Sequence, residues 1–445
     1  MLLAARLPGW LEKFWPVSQN MRRYILRFFL RRFCGRLYAM RVKEFIKRFI
    51  PKFALNIYHY KLALLGAFLF GFPGKNKSIK IIGITGTSGK STTVDFITRI
   101  LEETGNKVAS ISSIRFKVGE KEWENKYKMT MPGRFVIQKF LRQAVNEKCQ
   151  FAILEITSEG IRQFRHKFIN FDTAVFTNLS KEHIESHGSF ENYRNAKLKL
   201  FKTAKNIHII NEDDANAKYF LDIPAKNKIA FSIKDVKNIQ TTDDGILFQI
   251  QNTDFSIPLL GKFNIYNALA AISAAKAYGI SLETCTNALV KVKAMPGRME
   301  IVSENPKIIV DYAHTPDQLE AVYKSFEGKN LVCVLGSCGG GRDKWKRPVL
   351  GEIAKKYCKE IIVTNEDPYD EDPIKIIEDV AKGADGRAQK ILDRREAIKT
   401  ALKLATPYDT VVITGKGSEP WMCVENGKKI PWDDRKIARE AVKIR

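Results

Sequence analysis

The stretch KIIGITGTSGKSTT at residues 80–93 combines a short β-rich run, a glycine-containing turn and the start of a helical pattern. A strand, loop and helix of this kind bind phosphate, because backbone amides and the helix N-terminus point at the anion. The lysine adds a positive charge, and the following hydroxyl can reach Mg²⁺. The spacing departs from the strict GxxxxGK[ST] motif, since Ile84 stands where the first glycine belongs. The stretch therefore predicts a site for ATP or another nucleoside triphosphate.

Polar residues also follow two β-rich runs downstream of this loop. Glu155 lies at the end of the run 151–156, and His183 follows the run 173–177. Because ligands of open parallel sheets bind at the carboxyl ends of the strands, both side chains are expected to converge on the phosphate loop. A lone histidine is more often structural, and imidazole is a less usual partner for a hard cation. The neighbouring loop nevertheless makes Glu155 and His183 candidate Mg²⁺ ligands.

The region after residue 78 alternates β-rich runs with helical patterns, which predicts βαβ units and an α/β fold with mostly parallel sheets. The predicted strands are 80–84, 151–156, 173–177, 207–210, 308–310, 331–335, 360–363 and 410–413. A break at residues 295–297 divides the region, and 445 residues suffice for two or three cores. The expected domains are a basic helical N-terminal segment at 1–78, a P-loop-type central domain at 79–294 and a Rossmann-like C-terminal α/β domain at 295–445.

Positive charge is concentrated in the N-terminal segment. Residues 1–52 hold thirteen Lys/Arg against Glu12 and Glu44, and so supply +11 of the net +25. Apolar residues at helical spacing beside arginines in 21–50 are typical of a helix on a membrane surface. The charge-free part of the next apolar run, 62–72, is too short to span a bilayer. Three interpretations of 1–72 stay open: helices packed on the catalytic body, peripheral contact with the inner face of the membrane, and a true span.

Composition sets further limits on the function. The chain is 44% hydrophobic and 28% charged, as is usual for a soluble globular protein. The seven cysteines include no CxxC pair, so neither a disulfide framework nor a zinc ribbon is expected. Reduced thiols in a cytoplasmic protein are expected instead, and the chain is expected to be a monomer. No recognised nucleic-acid module accompanies the basic charge, so nucleic acid is not an expected partner.

A series of ordered motifs extends from the phosphate loop to the C-terminus. In the central region they lie at 86–90, 177–179, 183, 196–201 and 261–268. In the C-terminal region they lie at 296–300, 311–317, 339–344, 415–419 and 431–435. Together these motifs, over about residue 80 to the C-terminus, resemble the Mur ligase family of bacterial cell-wall synthesis. The resemblance implies an ADP-forming ligase that joins an amino acid to a carboxylate through an acyl-phosphate.

The resemblance also implies residue roles. By this resemblance, the catalytic residues are Lys90, Glu155, His183 and Lys197. The implied metal ligands are Ser91, Glu155, His183 and Lys197, the last as a carbamylated lysine. It places ATP, with Mg²⁺, on Gly86, Thr87, Ser88, Gly89, Lys90, Ser91, Thr92, Asn267, Arg298 and Asp311. It places the other substrates on Thr130, Thr157, Ser158, Gln163, Arg165, Asp367, Pro368, Gly415 and Glu419, with His314 and Lys344 lining the site.

The family members with the most similar motifs add the third amino acid to UDP-N-acetylmuramoyl-L-alanyl-D-glutamate. That dipeptide and a free amino acid are therefore the expected substrates. Residues 1–78 differ from the compact UDP-binding domain of the family. Tyr369 replaces the arginine of the Asp-Asn-Pro-Arg motif, which removes a bidentate grip on the distal carboxylate of diaminopimelate. Glu159 and Ser418 stand where these members usually have histidine.

Several alternatives follow from these departures. The added amino acid can be lysine, diaminopimelate or another. A different ligase of the superfamily, such as a folylpolyglutamate or cyanophycin-type enzyme, is one alternative function. A non-catalytic, membrane-associated relative that keeps the fold is another, although Lys90, Glu155, His183 and Lys197 together argue against it.

Overall fold

The computed structural model describes residues 51–127 and 129–444, which form four β-sheets and the helices that flank them. The first sheet has eight strands: β1 (Lys80–Thr85), β2 (Val108–Ile111), β3 (Arg115–Val118), β4 (Lys121–Glu124), β5 (Phe151–Glu155), β6 (Thr173–Phe176), β7 (Ile207–Asn211) and β8 (Asn227–Phe231). Their order is β4-β3-β2-β5-β1-β6-β7-β8. All pairs from β2 to β8 in this order are parallel, and β3 and β4 form an antiparallel edge.

Helices cover both faces of this sheet. The helices of the described residues are α1 (Lys52–Leu69), α2 (Lys90–Glu103), α3 (Arg134–Asn146), α4 (Ser158–Arg162), α5 (Ile184–His187), α6 (Phe190–Thr203), α7 (Ala217–Leu221), α8 (Phe263–Ala277), α9 (Leu282–Leu289), α10 (Pro316–Lys324), α11 (Lys346–Tyr357), α12 (Pro373–Gly383), α13 (Arg394–Leu404) and α14 (Asp434–Ile444). Short 3₁₀ helices lie at Pro73–Lys75, Ile233–Asp235 and Glu425–Gly427.

The position of β1 explains its sequence. Strands covered on both faces read as continuous apolar runs, and Ile81, Ile82 and Ile84 are all buried. Ile82 and Ile84 face a core shared with α2 and α8, whereas Ile81 faces a second core shared with α3 and α6. β1 lies between β5 and β6, so the carboxyl ends of these three strands meet at one edge of the sheet.

Two further sheets continue the chain. A small antiparallel sheet consists of β9 (Val236–Thr241), β10 (Ile246–Ile250) and β11 (Thr253–Ile257). A six-stranded sheet follows, with β12 (Glu300–Glu304), β13 (Lys307–Val310), β14 (Asn330–Leu335), β15 (Glu360–Thr364), β16 (Ala388–Ile391) and β17 (Asp409–Ile413). Its order is β12-β13-β17-β14-β15-β16, parallel except for β12. The last hairpin is β18 (Trp421–Cys423) with β19 (Lys429–Pro431).

The predicted fold class is confirmed, and each of the eight predicted runs is a strand. One expectation about the cysteines is wrong. Cys333 and Cys358 form a disulfide, with their Cα atoms 6.1 Å apart as disulfide geometry requires, so these two thiols are not reduced as expected.

The predicted N-terminal segment is described only from residue 51, so the basic helix predicted at 21–50 lies outside the described residues. The described part is helical and packs on the body of the protein. Ala63 and Ala67 of α1 are buried, and Arg142 of α3 donates hydrogen bonds to the carbonyls of Phe70 (2.7 Å) and Gly71 (2.8 Å). Within 51–127 and 129–444, no helix has both the length and the apolar character needed to cross a membrane.

Candidate active site

The loop at 86–89 connects β1 to α2 and forms the floor of the site. Asn178, which follows β6, fixes the shape of this loop: its carbonyl accepts from the Thr87 amide (2.9 Å), and its side-chain oxygen accepts from the Ser88 amide (2.8 Å). Lys90 starts α2, and its Nζ donates to the Thr87 carbonyl at 2.9 Å. Since the first amides of a helix have no helical acceptor, the start of α2 can bind a phosphate beside the Lys90 ammonium.

Gly89 of this loop has a positive φ of 79° and lies against α8. A Cβ at this position would be 2.1 Å from Oδ1 of Asn267. Asn267 cannot move away freely, because it is buried and donates to Asn264 at 2.9 Å. The close approach of loop and helix therefore requires glycine.

We expect Gly89→Ala to raise the KM for ATP by about tenfold or more, since overpacking a tight contact costs about 1–3 kcal/mol. Gly105→Ala is the matched control, because Gly105 follows the other end of α2 with φ of 77° and no atom within 4 Å of its added Cβ. Both variants carry the same backbone strain, and only Gly89→Ala adds the clash. Equal KM values for ATP in the two variants would contradict the assigned role of this loop.

Glu155 at the end of β5 lies beside the start of α2. Its Oε2 accepts from the Ser91 hydroxyl (2.8 Å) and from the Ser113 amide (2.9 Å), and its Oε1 is 3.9 Å from Nζ of Lys90. A buried carboxylate and a hydroxyl are the oxygen donors that Mg²⁺ prefers. Ser91 and Glu155 therefore fit a Mg²⁺ ion next to the phosphate loop.

Lys197 on α6 lies directly beneath the same loop. Its Nζ donates to the Gly86 carbonyl at 2.6 Å and lies 4.6 Å from the centre of the Tyr193 ring. Burial, and then the nearby charge of Lys90, lower the pKa of the Lys197 ammonium well below its usual value. A protonated lysine cannot bind a metal, whereas a neutral amine can react with carbon dioxide to give an anionic carbamate. Lys197 is therefore a buried side chain whose charged form is disfavoured beneath the phosphate loop.

His183 comes just before α5, with a positive φ of 58°. Its ring lies 5.7 Å from that of Tyr193, the residue that also contacts Lys197. Burial lowers the pKa of His183 to about 4, although the adjacent Glu182 opposes this shift. The neutral imidazole is the form that binds metals, so His183 suits the predicted role as a ligand.

The C-terminal region closes over this floor. His314 Nε2 lies 3.2 Å from Oε1 of Glu182, and the Gln318 side chain donates to the Ser88 hydroxyl at 2.8 Å. The Asp343 carboxylate accepts from the amide of Glu185 at 2.9 Å. Burial raises the pKa of Glu182, but interactions with the His183 and His314 side chains outweigh burial and hold that pKa well below its usual value. The two regions thus meet at the phosphate loop.

Two predicted nucleotide residues lie on the C-terminal side. The Asp311 carboxylate accepts from the amides of Met299 and Ala313, each at 2.7 Å, and burial raises its pKa. The Arg298 guanidinium lies 4.2 Å from the centre of the Tyr312 ring. Asp311 therefore fixes the backbone next to Arg298, in addition to lining the cavity.

The predicted amino-acid side of the site is a buried ionic cluster. Asp367 accepts from Nζ of Lys416 at 2.8 Å and from the Cys423 amide at 2.6 Å. Lys416 also donates to Glu419, which accepts from the Tyr312 hydroxyl at 3.3 Å. The cluster holds the segment after β15 next to the segment after β17.

A second group of predicted substrate-binding residues lies around α4 of the central region. The Thr157 hydroxyl accepts from the Gly160 amide and so begins α4. Ser158 Oγ lies 3.1 Å from Nε2 of His187. Arg165 donates to Oε1 of Gln163 at 2.8 Å, which fixes both side chains.

One cavity of about 1130 Å³ joins these parts. Its lining includes every predicted site residue except Gly86, Lys197, Lys344 and Pro368. Gly86 and Lys197 lie under the loop and contact each other. The lining also contains residues for which the sequence analysis proposed no role: Ser113, Glu182, Gln318, Cys338, Arg342, Lys346 and Glu366. Glu182 could have been found through its place beside His183 in the motif, whereas Gln318 has no comparable signal.

Comparison with known proteins assigns the family. Residues 84–275 match the Mur ligase middle domain, and residues 297–417 match the Mur ligase glutamate ligase domain. A UDP-N-acetylmuramoyl-L-alanyl-D-glutamate–2,6-diaminopimelate ligase of Syntrophomonas wolfei is 40% identical over 404 residues, which cover 86% of this chain and 81% of that protein.

Solved structures agree with this assignment. A structure of a UDP-N-acetylmuramoyl-L-alanyl-D-glutamate–2,6-diaminopimelate ligase is 32% identical, with a TM-score of 0.57 over 83% of this chain and 79% of that one. The folylpolyglutamate synthase of Mycobacterium tuberculosis shares the fold, with a TM-score of 0.64, 18% identity and coverage of 85% and 95%. The chain belongs to the Mur ligase family of ATP-dependent, amide-bond-forming ligases.

Proposed function

We propose that the chain adds the third amino acid to UDP-N-acetylmuramoyl-L-alanyl-D-glutamate in peptidoglycan synthesis, with ATP as the energy source. The observation that carries this proposal is the single cavity that joins the phosphate loop to the predicted substrate-binding residues of both regions. The similarity to the Syntrophomonas wolfei ligase, whose name specifies this reaction with diaminopimelate, supports the same substrates.

The proposed reaction has two steps. The substrate carboxylate attacks the γ-phosphorus of ATP, which releases ADP and leaves an acyl-phosphate. The amino group of the incoming amino acid then attacks the acyl carbon, and inorganic phosphate leaves as the amide forms. Lys90 would stabilise the charge that spreads over the transferred phosphoryl group, and closure of the C-terminal domain would exclude water.

The metal ligands in this proposal are Ser91, Glu155, His183 and carbamylated Lys197. Bound Mg²⁺ supplies positive charge that polarises the phosphoryl oxygens. The buried position of Lys197 between the loop and Tyr193 supports the carbamate, because modification would replace a side chain whose positive charge is unfavourable there with an anion that a bound Mg²⁺ would stabilise. Lys90 lies near enough to lower the pKa of Lys197. After carbamylation of Lys197, the Lys90 ammonium would face an anion instead of a second cation.

We further propose that the central domain comprises 79–294 and the C-terminal domain 295–445, and that the chain acts as a monomer in the cytoplasm. The meeting of the two regions at one cavity supports this division, since neither region alone holds all of the predicted site. A folylpolyglutamate-type function has weaker support, because the likeness to such enzymes concerns the fold alone.

The test is amino-acid-dependent phosphate release. Full-length protein, ATP, Mg²⁺ and UDP-N-acetylmuramoyl-L-alanyl-D-glutamate are incubated with lysine, diaminopimelate or ornithine, and product mass is measured. We expect amino-acid-dependent phosphate release and a matching increase in mass. Lysine or ornithine is expected to compete well with diaminopimelate, because Tyr369 lacks the guanidinium that would bind the distal carboxylate. Phosphate release with a folate acceptor but not with the dipeptide would refute the proposal.

A further inference from the structure

Helix α1 has one face fixed to the body of the protein. Ala63, Gly66 and Ala67 are buried, and a Cβ on Gly66 would lie 3.7 Å from the backbone of Arg134 at the start of α3. Nη2 of Arg134 lies 2.6 Å from Nδ1 of His59. These contacts determine which face of α1 turns outward.

The outward face of α1 is apolar. Six of its large apolar side chains are between 39% and 67% exposed: Phe53, Ile57, Leu64, Leu65, Phe68 and Leu69. At 3.6 residues per turn, Phe53, Ile57, Leu64 and Phe68 fall within an arc of about 60° and so form a continuous stripe. Tyr58 and Tyr60 extend the exposed surface. An apolar patch of this kind on a soluble protein usually marks a contact surface.

The sequence on either side of α1 and within it carries charge of a single sign. The sequence contains no acidic residue from 45 to 94, although eight Lys/Arg lie in that range. Lys61 is exposed on α1, and Lys75 and Lys77 are exposed just after it. The preceding residues 1–52 carry a net +11. A membrane of anionic lipids has negatively charged headgroups above an apolar acyl-chain region. An apolar stripe bordered by cations complements such a surface.

We propose that the outward face of α1 docks on the surface of an anionic lipid bilayer. Phe53, Ile57, Leu64 and Phe68 enter the boundary between headgroups and acyl chains, while Lys61 reaches back to the headgroups. A second copy of the chain fits less well, since pairing two such faces would bring like charges together. The contact is peripheral, because no described helix, α1 included, meets the requirements for a span.

The test is vesicle binding by the full-length chain, independent of the ligase assay. The face variant is Ile57→Ser, Leu64→Ser and Phe68→Ser together. The matched control is Val290→Ser, Leu404→Ser and Tyr408→Ser, which removes three exposed apolar side chains from other surfaces. Co-sedimentation is measured with phosphatidylglycerol–phosphatidylcholine vesicles and with phosphatidylcholine vesicles alone. The melting temperature of each variant confirms that it is folded.

We expect the wild type and the control to bind the anionic vesicles, and the face variant to bind them at least about tenfold more weakly, since binding scales with buried apolar area. Binding should fall with salt and be weak on phosphatidylcholine alone. Equal binding by the face variant and the wild type would overturn the proposal, because the basic segment alone would then carry the contact. No binding by the wild type, or a wild-type dimer that the face variant converts to monomers, would also overturn it. Each result stands whether or not the dipeptide is the substrate.

Discussion

Lys90→Met is expected to lower kcat by at least about 100-fold while the protein stays folded. Removal of one preorganised donor from a centre of developing negative charge typically costs about 10²–10³ in kcat. Lys90 sits at the start of α2, with Nζ 2.9 Å from the Thr87 carbonyl and 3.9 Å from Glu155. Methionine is of similar length but has no charge and no donor. Steady-state phosphate release with the dipeptide and the preferred amino acid measures the effect.

A matched control separates this effect from a general loss of positive charge. Lys139→Met makes the same change on α3, where the side chain is exposed and is not among the residues that line the cavity. It should leave kcat and the KM for ATP unchanged. Thermal unfolding of both variants checks that the loop still folds without the Lys90 hydrogen bond. A kcat for Lys90→Met within a few-fold of the wild type would show that the loop does not hold the transferred phosphate.

Most interior strands were predictable because burial on both faces leaves an apolar run in the sequence, but the interior strands β2 and β3 were not predicted. β1, β5 and β14 are of this kind, with at most one exposed residue each. Two exposed edge strands were not predictable, because exposure leaves no apolar run in the sequence. All four residues of β4 are exposed, and five of the six residues of β9 are, so neither carries an apolar pattern.

The candidate site was predictable where its residues lie at the ends of predicted strands. Residues 86–91 and Glu155 follow directly from strands, and strand ends at one edge of a parallel sheet must converge. Contacts between the two regions were not predictable, because nothing local encodes them. Gln318 and Ser88 are 230 residues apart, and His314 and Glu182 are 132 apart, yet both pairs are in contact. Such pairs depend on how the two sheets are placed relative to each other.

Lys197→Ala is expected to reduce activity to near background, and short carboxylic acids such as acetate or formate should restore part of it. The alanine variant leaves a space beside Gly86 and Tyr193 where the Lys197 side chain was buried, and a small carboxylate there can take the position of the carbamate. Phosphate release is measured over a range of acid concentrations. The rescue should saturate, because it requires binding in a defined space.

Lys199→Ala is the control for this experiment, since Lys199 lies on the same helix with its side chain exposed. It should keep wild-type activity and show no response to the acids. Loss of activity alone does not show whether Lys197 supports the loop or supplies an anion. Rescue by a carboxylic acid distinguishes these two roles. If Lys197 only supports the loop through its bond to the Gly86 carbonyl, a carboxylate cannot replace it, because a carboxylate accepts hydrogen bonds and that carbonyl needs a donor. Rescue would thus assign an anion to this position, whereas wild-type rates in Lys197→Ala would exclude Lys197 from the reaction.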